Sequence, residues 1–162
     1  MMQKTLNIQD QPFQLSLLDE GDQYPYELLL LADETKEAID KYLFHCDVYI
    51  LTRERKVYAV FCLFKESDNV VELKNIAVDE SLQGKGVGSI LIKEIISIVK
   101  KSNVKTLIVG TADCGDAQIR FYERNGFVKY GVRKNFFIEN YTLPIVENGV
   151  QLVDMVMLKM EL

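Results

Sequence analysis

The segment richest in chemical implication is Gln83-Gly84-Lys85-Gly86-Val87-Gly88-Ser89, a glycine turn between the apolar run Ile76-Ala77-Val78 and a helix-like stretch reaching Lys101. The first N–H groups of a helix have no intrahelical partner and carry the positive end of its dipole, and glycines let an anion come close. Such a turn suits a diphosphate, with a purely structural turn as the alternative. It is not a nucleotide-hydrolysing Walker loop, because Lys85 stands between glycines and no Gly-Lys-Ser/Thr closes it. Gly84 and Gly86 fit the start of a dinucleotide fingerprint, but Ser89 takes its third place and the stretch Lys100 to Thr106 holds no acid for a ribose. Lys85 is either a point charge on phosphate or a solvated loop lysine.

Glu72 interrupts the apolar strand Val70-Val71-Glu72-Leu73, and a carboxylate there can serve as a proton acceptor. It can equally pair with Lys74, which lies two positions along on the same strand face. His45 is the single histidine, and Cys46, Cys62 and Cys114 lie far apart without C-x-x-C spacing. Neither a metal cage nor a disulfide framework is expected.

A strand over Lys4–Ile8 precedes two helices, Tyr26–Ala32 and Thr35–Phe44, the second capped by Asp33. Asp47–Thr52, Val57–Phe64 and Val70–Val78 are rich in β-branched and aromatic residues and predict three antiparallel strands in a meander. Val87, Ile90, Leu91, Ile95, Ile98 and Val99 recur at helical spacing up to Lys101. A strand over Thr106–Gly110 and a helix over Asp116–Arg124 follow, the latter stopped by Asn125-Gly126. Phe127–Val132 and Leu152–Lys159 read as the last strands, the final one offering an edge to a partner. The pattern predicts an α/β (α+β) domain with a mixed central sheet flanked by helices.

Gln83-x-x-Gly86-x-Gly88 after Ile76-Ala77-Val78 resembles the acyl-CoA-binding motif of the Gcn5-related N-acetyltransferase (GNAT) family. Downstream, Arg120-Phe121-Tyr122-Glu123-Arg124-Asn125-Gly126-Phe127 is similar to that family's tyrosine-bearing helix and the turn after it. The resemblance implies a GNAT-like fold splayed between its fourth and fifth strands, here the predicted strands Val70–Val78 and Thr106–Gly110. It implies acetyl-CoA as cosubstrate, no metal, and a primary amine as acceptor attacked directly, with a non-catalytic acyl-CoA-binding module as the alternative. It further implies that Gln83, Gly84, Lys85, Gly86, Val87, Gly88 and Ser89 hold the pyrophosphate and that the main chain of Ile76, Ala77 and Val78 pairs with the pantetheine arm. Tyr122 would protonate the departing thiolate, packing beside Phe121 and Phe127 being its other reading. Glu72, 11 residues before Gln83, matches the glutamate base of histone-acetylating members. A salt bridge with Lys74 or a water chain remains the alternative. The family often has Asn seven residues before the tyrosine, where this chain has Gly115, leaving Asp113 or Asp116 to contact the coenzyme arm. Phe137 and Tyr141, with Phe136, Glu139 and Glu147, fall in the segment where the family often builds its acceptor pocket, a packed loop or dimer contact being the alternative.

Composition bounds these readings. The chain has 162 residues, 48% hydrophobic and 27% charged, which predicts a single domain over residues 1–162. Its net charge of −5 disfavours a phosphate-backbone partner, so nucleic acid is not expected. Leu28 to Ala32, a clearly apolar run, is far below the roughly 18 residues of a membrane span, and Met1-Met2-Gln3-Lys4-Thr5 lacks a signal-peptide run. The expectation is a cytoplasmic protein away from membranes, with a homodimer left open.

Overall fold

The computed structural model describes residues 3–162; Met1 and Met2 of the N-terminal segment weighed above lie outside the described residues. The chain divides into two compact units, the first made of the chain up to Phe64 with Leu73–Glu94, the second of Lys65–Glu72 with Ile95–Leu162.

The first unit opens with the strands β1 (Gln3–Ile8) and β2 (Gln11–Leu17), paired antiparallel. β2 was not expected. The turn between them is Gln9-Asp10, both at positive φ (53° and 60°), so a two-residue hairpin forms without the Asn-Gly pair that usually announces one. Helices α1 (Tyr26–Ala32) and α2 (Lys36–Leu43) follow as predicted, but the cap of α2 is Thr35, whose hydroxyl accepts from the Ala38 N–H at 3.1 Å. Asp33 ends α1 instead, its N–H donating to the Leu29 carbonyl and its carboxylate accepting from the Glu34 N–H and the Tyr42 hydroxyl. Thr35 wins because its extended backbone turns the side chain back onto the first turn, which is what capping requires.

The meander is β3 (Asp47–Arg53), β4 (Lys56–Lys65) and β5 (Val70–Val78), with β3 and β4 antiparallel. In this unit the strands neighbour one another in the order β1-β2-β3-β4-β5. Leu28, Leu29, Ile39, Leu43, Val48, Val60, Cys62 and Ala77 form its core, so α1 and α2 bury one face each against the meander. Helix α3 (Val87–Lys101) starts in this unit and ends in the second.

The second unit contains the opening residues of β5, then β6 (Thr106–Ala112), helix α4 (Asp116–Arg124), β7 (Val128–Arg133), the short helix α5 (Phe136–Glu139), a two-residue hairpin of β8 (Val146–Glu147) and β9 (Val150–Gln151), and β10 (Met155–Glu161). Its strand order runs β5-β6-β10-β7. The last strand therefore begins three residues later than expected and is not an edge. β10 pairs antiparallel with β6 on one side and β7 on the other, which withdraws it as a partner surface. The chain returns through Arg133–Asp154 to fill the gap beside β6, a placement that local sequence pattern does not encode. β7 is the edge, and a bulge opposite Met157/Leu158 interrupts its ladder.

Candidate active site

The glycine turn lies in the first unit. Before it, Asp79 accepts from the N–H and hydroxyl of Ser81 at 3.0 and 2.6 Å and pairs with Lys56 at 3.6 Å. Those hydrogen bonds, then Lys56, hold the Asp79 carboxyl below the usual carboxylate range. Gln83 then donates from Nε2 to the Val78 carbonyl at 2.8 Å, fastening the turn to the end of β5. Gly84 and Gly86 adopt φ of +74° and +77°, and a Cβ at either would meet nothing within 4 Å. Backbone conformation alone therefore selects glycine here, and the space beside both residues is open. The Ile90 N–H donates to the Gly86 carbonyl at 3.2 Å, which makes Gly86 the cap of α3 and leaves the N–H groups of Val87, Gly88 and Ser89 outside the helical ladder. Unused N–H groups and open space are what the sequence reading expects of an anion site here. Lys85 is exposed beside it.

The same unit carries a buried polar chain. Asn75 on β5, 3% exposed, donates from Nδ2 to the Leu29 carbonyl (3.0 Å) and the Tyr42 hydroxyl (3.1 Å), and Tyr42 donates to Asp33 Oδ2 (3.0 Å). Asn75 Oδ1 is buried and accepts nothing. Burial, reinforced by Asp33, pushes the Tyr42 phenol far up. A cleft of about 900 Å³ also opens at the start of α1, where Asp22, Tyr24, Tyr26, Glu27, Asp79 and Glu80 line it. Lys56, paired with Asp79, also lines it, so its walls mix both signs of charge.

Tyr122 lies in the second unit, on α4, 8% exposed, with its ring edge-on to Phe121 (5.2 Å) and Phe127 (5.5 Å). Burial pushes its phenol above the ordinary tyrosine value, so the hydroxyl keeps its proton throughout the neutral range. Gly126, at φ +98°, ends the helix as predicted, and the Phe127 N–H returns to the Tyr122 carbonyl at 3.0 Å. Gly115 stands before α4, where a Cβ would lie 3.1 Å from the Ala112 carbonyl oxygen, so a larger residue there must displace backbone. Its neighbour Asp113 donates its N–H to the Asp154 carbonyl. The Cys114 thiol is raised by burial and then by nearby acids, Asp113 first, which keeps it in the unreactive protonated form.

Glu72 is 3% exposed, and one of its partners is a residue that no spacing rule suggested. Arg133, at the end of β7, donates from Nη2 and Nη1 to Glu72 Oε1 and Oε2 at 3.1 and 3.3 Å. Lys74 Nζ lies 5.4 Å from the centroid of the Phe64 ring. Phe137 stacks on Tyr141 at 5.8 Å and meets Phe136 edge-on at 5.2 Å, so the aromatic residues of the long segment gather into one wall. Ile76, Ala77, Val78 and the glycine turn thus belong to the first unit, and Glu72, Asp113, Tyr122, Phe137 and Tyr141 to the second. Among the described residues, no group of three or more His, Cys, Asp and Glu is placed to hold a metal ion.

Residues 5–127 match the Acetyltransferase (GNAT) family. The chain belongs to the GNAT family. An uncharacterized N-acetyltransferase of Bacillus subtilis, YvbK, is 36% identical over 152 residues, spanning 94% of this chain and 98% of its own. A GNAT family acetyltransferase from Elizabethkingia anophelis, solved with acetyl-CoA bound, superposes with a TM-score of 0.88 at 38% identity, covering 93% of this chain and 98% of its own. A Bacillus subtilis acetyltransferase solved with CoA gives a TM-score of 0.80 at 36% identity, covering 91% of this chain and 97% of its own. This GNAT chain is accordingly an acyltransferase. None of its described helices is long and apolar enough to cross a membrane.

Proposed function

We propose that this GNAT protein transfers the acetyl group of acetyl-CoA to a primary amine by direct attack within a ternary complex. The observation that carries this reading is the open cradle at the start of α3, where two left-handed glycines and three helix-terminal N–H groups fit a pyrophosphate. Bound acetyl-CoA supplies a thioester whose C–S bond is exchanged for the C–N bond of an amide.

The chain's own residues do the rest. The N–H groups from Gln83 to Ser89 hold the pyrophosphate, Lys85 adds a point charge, and the main chain of Ile76–Val78 lies along the pantetheine arm, with Asp113 a further contact. Tyr122, a buried phenol that stays protonated, donates its proton to the leaving sulfur. The amine must shed a proton to attack, and Glu72 is the carboxylate assigned to it. Phe137 and Tyr141 offer an aromatic wall to the acceptor.

The test is a panel of monoamines, polyamines, amino acids and peptide amines, scored by CoA thiol release and by the acetyl mass increment on the acceptor. Amine-dependent release with at least one class is expected. Saturable acetyl-CoA binding with no transfer to any amine would favour the acyl-CoA-binding module instead.

A further inference from the structure

Glu72 is 4% exposed at its side chain and sits in the apolar opening of β5, where a lone carboxylate is costly. The fork of Arg133 meets both of its oxygens, which fixes the plane of the carboxylate as well as its place, something a lysine ammonium cannot do. Glu66, on the turn after β4, approaches the same Nη2 at 3.6 Å, so the guanidinium is braced from two sides. Two carboxylates thus share one guanidinium. The Arg133 side chain remains one-third exposed (33%) while the carboxylate it holds is not.

We propose that Arg133 is a positioning residue for amine acetylation: it holds Glu72 in a single orientation, so that the carboxylate meets the incoming amine without having to be ordered during the reaction. This rests on the reading of Glu72 as the group that handles the amine. A pair serving only to tie β7 to β5 would act on stability and leave catalysis alone, and a double-mutant cycle separates the two roles.

The experiment measures kcat and KM for the best acceptor of the panel, and the acetyl-CoA dissociation constant, in wild type, R133Q, R133K, E72Q and E72Q/R133Q. In R133Q, kcat/KM for the amine should fall on the order of 10- to 100-fold, as for a misplaced catalytic group, with acetyl-CoA affinity changed less than about 2-fold. In the E72Q background the same substitution should change kcat/KM by less than about 2-fold, because there is no carboxylate left to orient. R133K, which keeps the charge and loses the fork, should fall between, about 5-fold below wild type, and decides the matter if R133Q does not fold. Wild-type efficiency in the Arg133 variants, or a loss on replacing Arg133 that is as large in the E72Q background as in the wild type, would overturn the inference while leaving acetyl transfer intact. A wild type that releases no CoA with any amine would overturn the underlying reading and this inference with it.

Discussion

The glycine turn and the helix carrying Tyr122 are made in opposite ways. In the turn, backbone torsion and unused N–H groups form the feature: a Cβ at Gly84 or Gly86 would touch nothing, and the one charged side chain, Lys85, is exposed. Around Tyr122 the side chain is the feature, packed edge-on between two phenylalanines with its proton secured by burial. A feature made by backbone tolerates changes in neighbouring side chains but not a change of torsion or the filling of its open space. A feature made by a packed side chain tolerates conservative shape and loses its chemistry with a single atom.

That contrast orders the expected effects. Gly86→Trp fills the cradle and forces a large residue to positive φ, and it should weaken acetyl-CoA binding by about 100-fold or more in calorimetric titration. Tyr122→Phe keeps the packing and removes the donor, so turnover should fall about 100-fold with acetyl-CoA affinity nearly unchanged; equal turnover would remove Tyr122 as the acid. Because burial raises the phenol, the donor form persists as pH rises, and wild-type kcat should show no Tyr122-dependent decline below about pH 10. Gly84→Ala meets no steric obstacle and costs torsion alone, about 1 kcal/mol of stability in urea unfolding, with a matching modest loss of coenzyme affinity. Lys85→Ala, at an exposed position, should weaken acetyl-CoA by no more than about 5-fold, an effect that fades as salt is raised. A loss at Lys85 larger than at Gly84 would break the comparison, since side-chain charge would then outweigh backbone shape.

The same contrast explains what could be read without coordinates. The turn, α3, the α4 stop at Asn125-Gly126 and the meander were legible because glycine, helix period and β-branched runs are local signals. The hairpin at Gln9-Asp10 was missed because left-handed torsions were adopted by residues that seldom announce them. The insertion of β10 between β6 and β7 and the pairing of Glu72 with Arg133 were hidden for a different reason. Both depend on residues far apart in sequence. The Asn75–Tyr42–Asp33 chain shares that character: each member alone reads as an ordinary strand, helix or cap residue.

What decides the function is whether the turn from Gln83 to Ser89 is a coenzyme cradle rather than a structural bend. Calorimetric titration of the purified protein with acetyl-CoA, CoA and NAD, repeated in the presence of the amine panel, tests it most directly. Saturable binding of acetyl-CoA and CoA, with none for NAD and with the signal lost in Gly86→Trp, is the predicted result. Absence of binding by either CoA species with or without amines, or undiminished binding in Gly86→Trp, would contradict it.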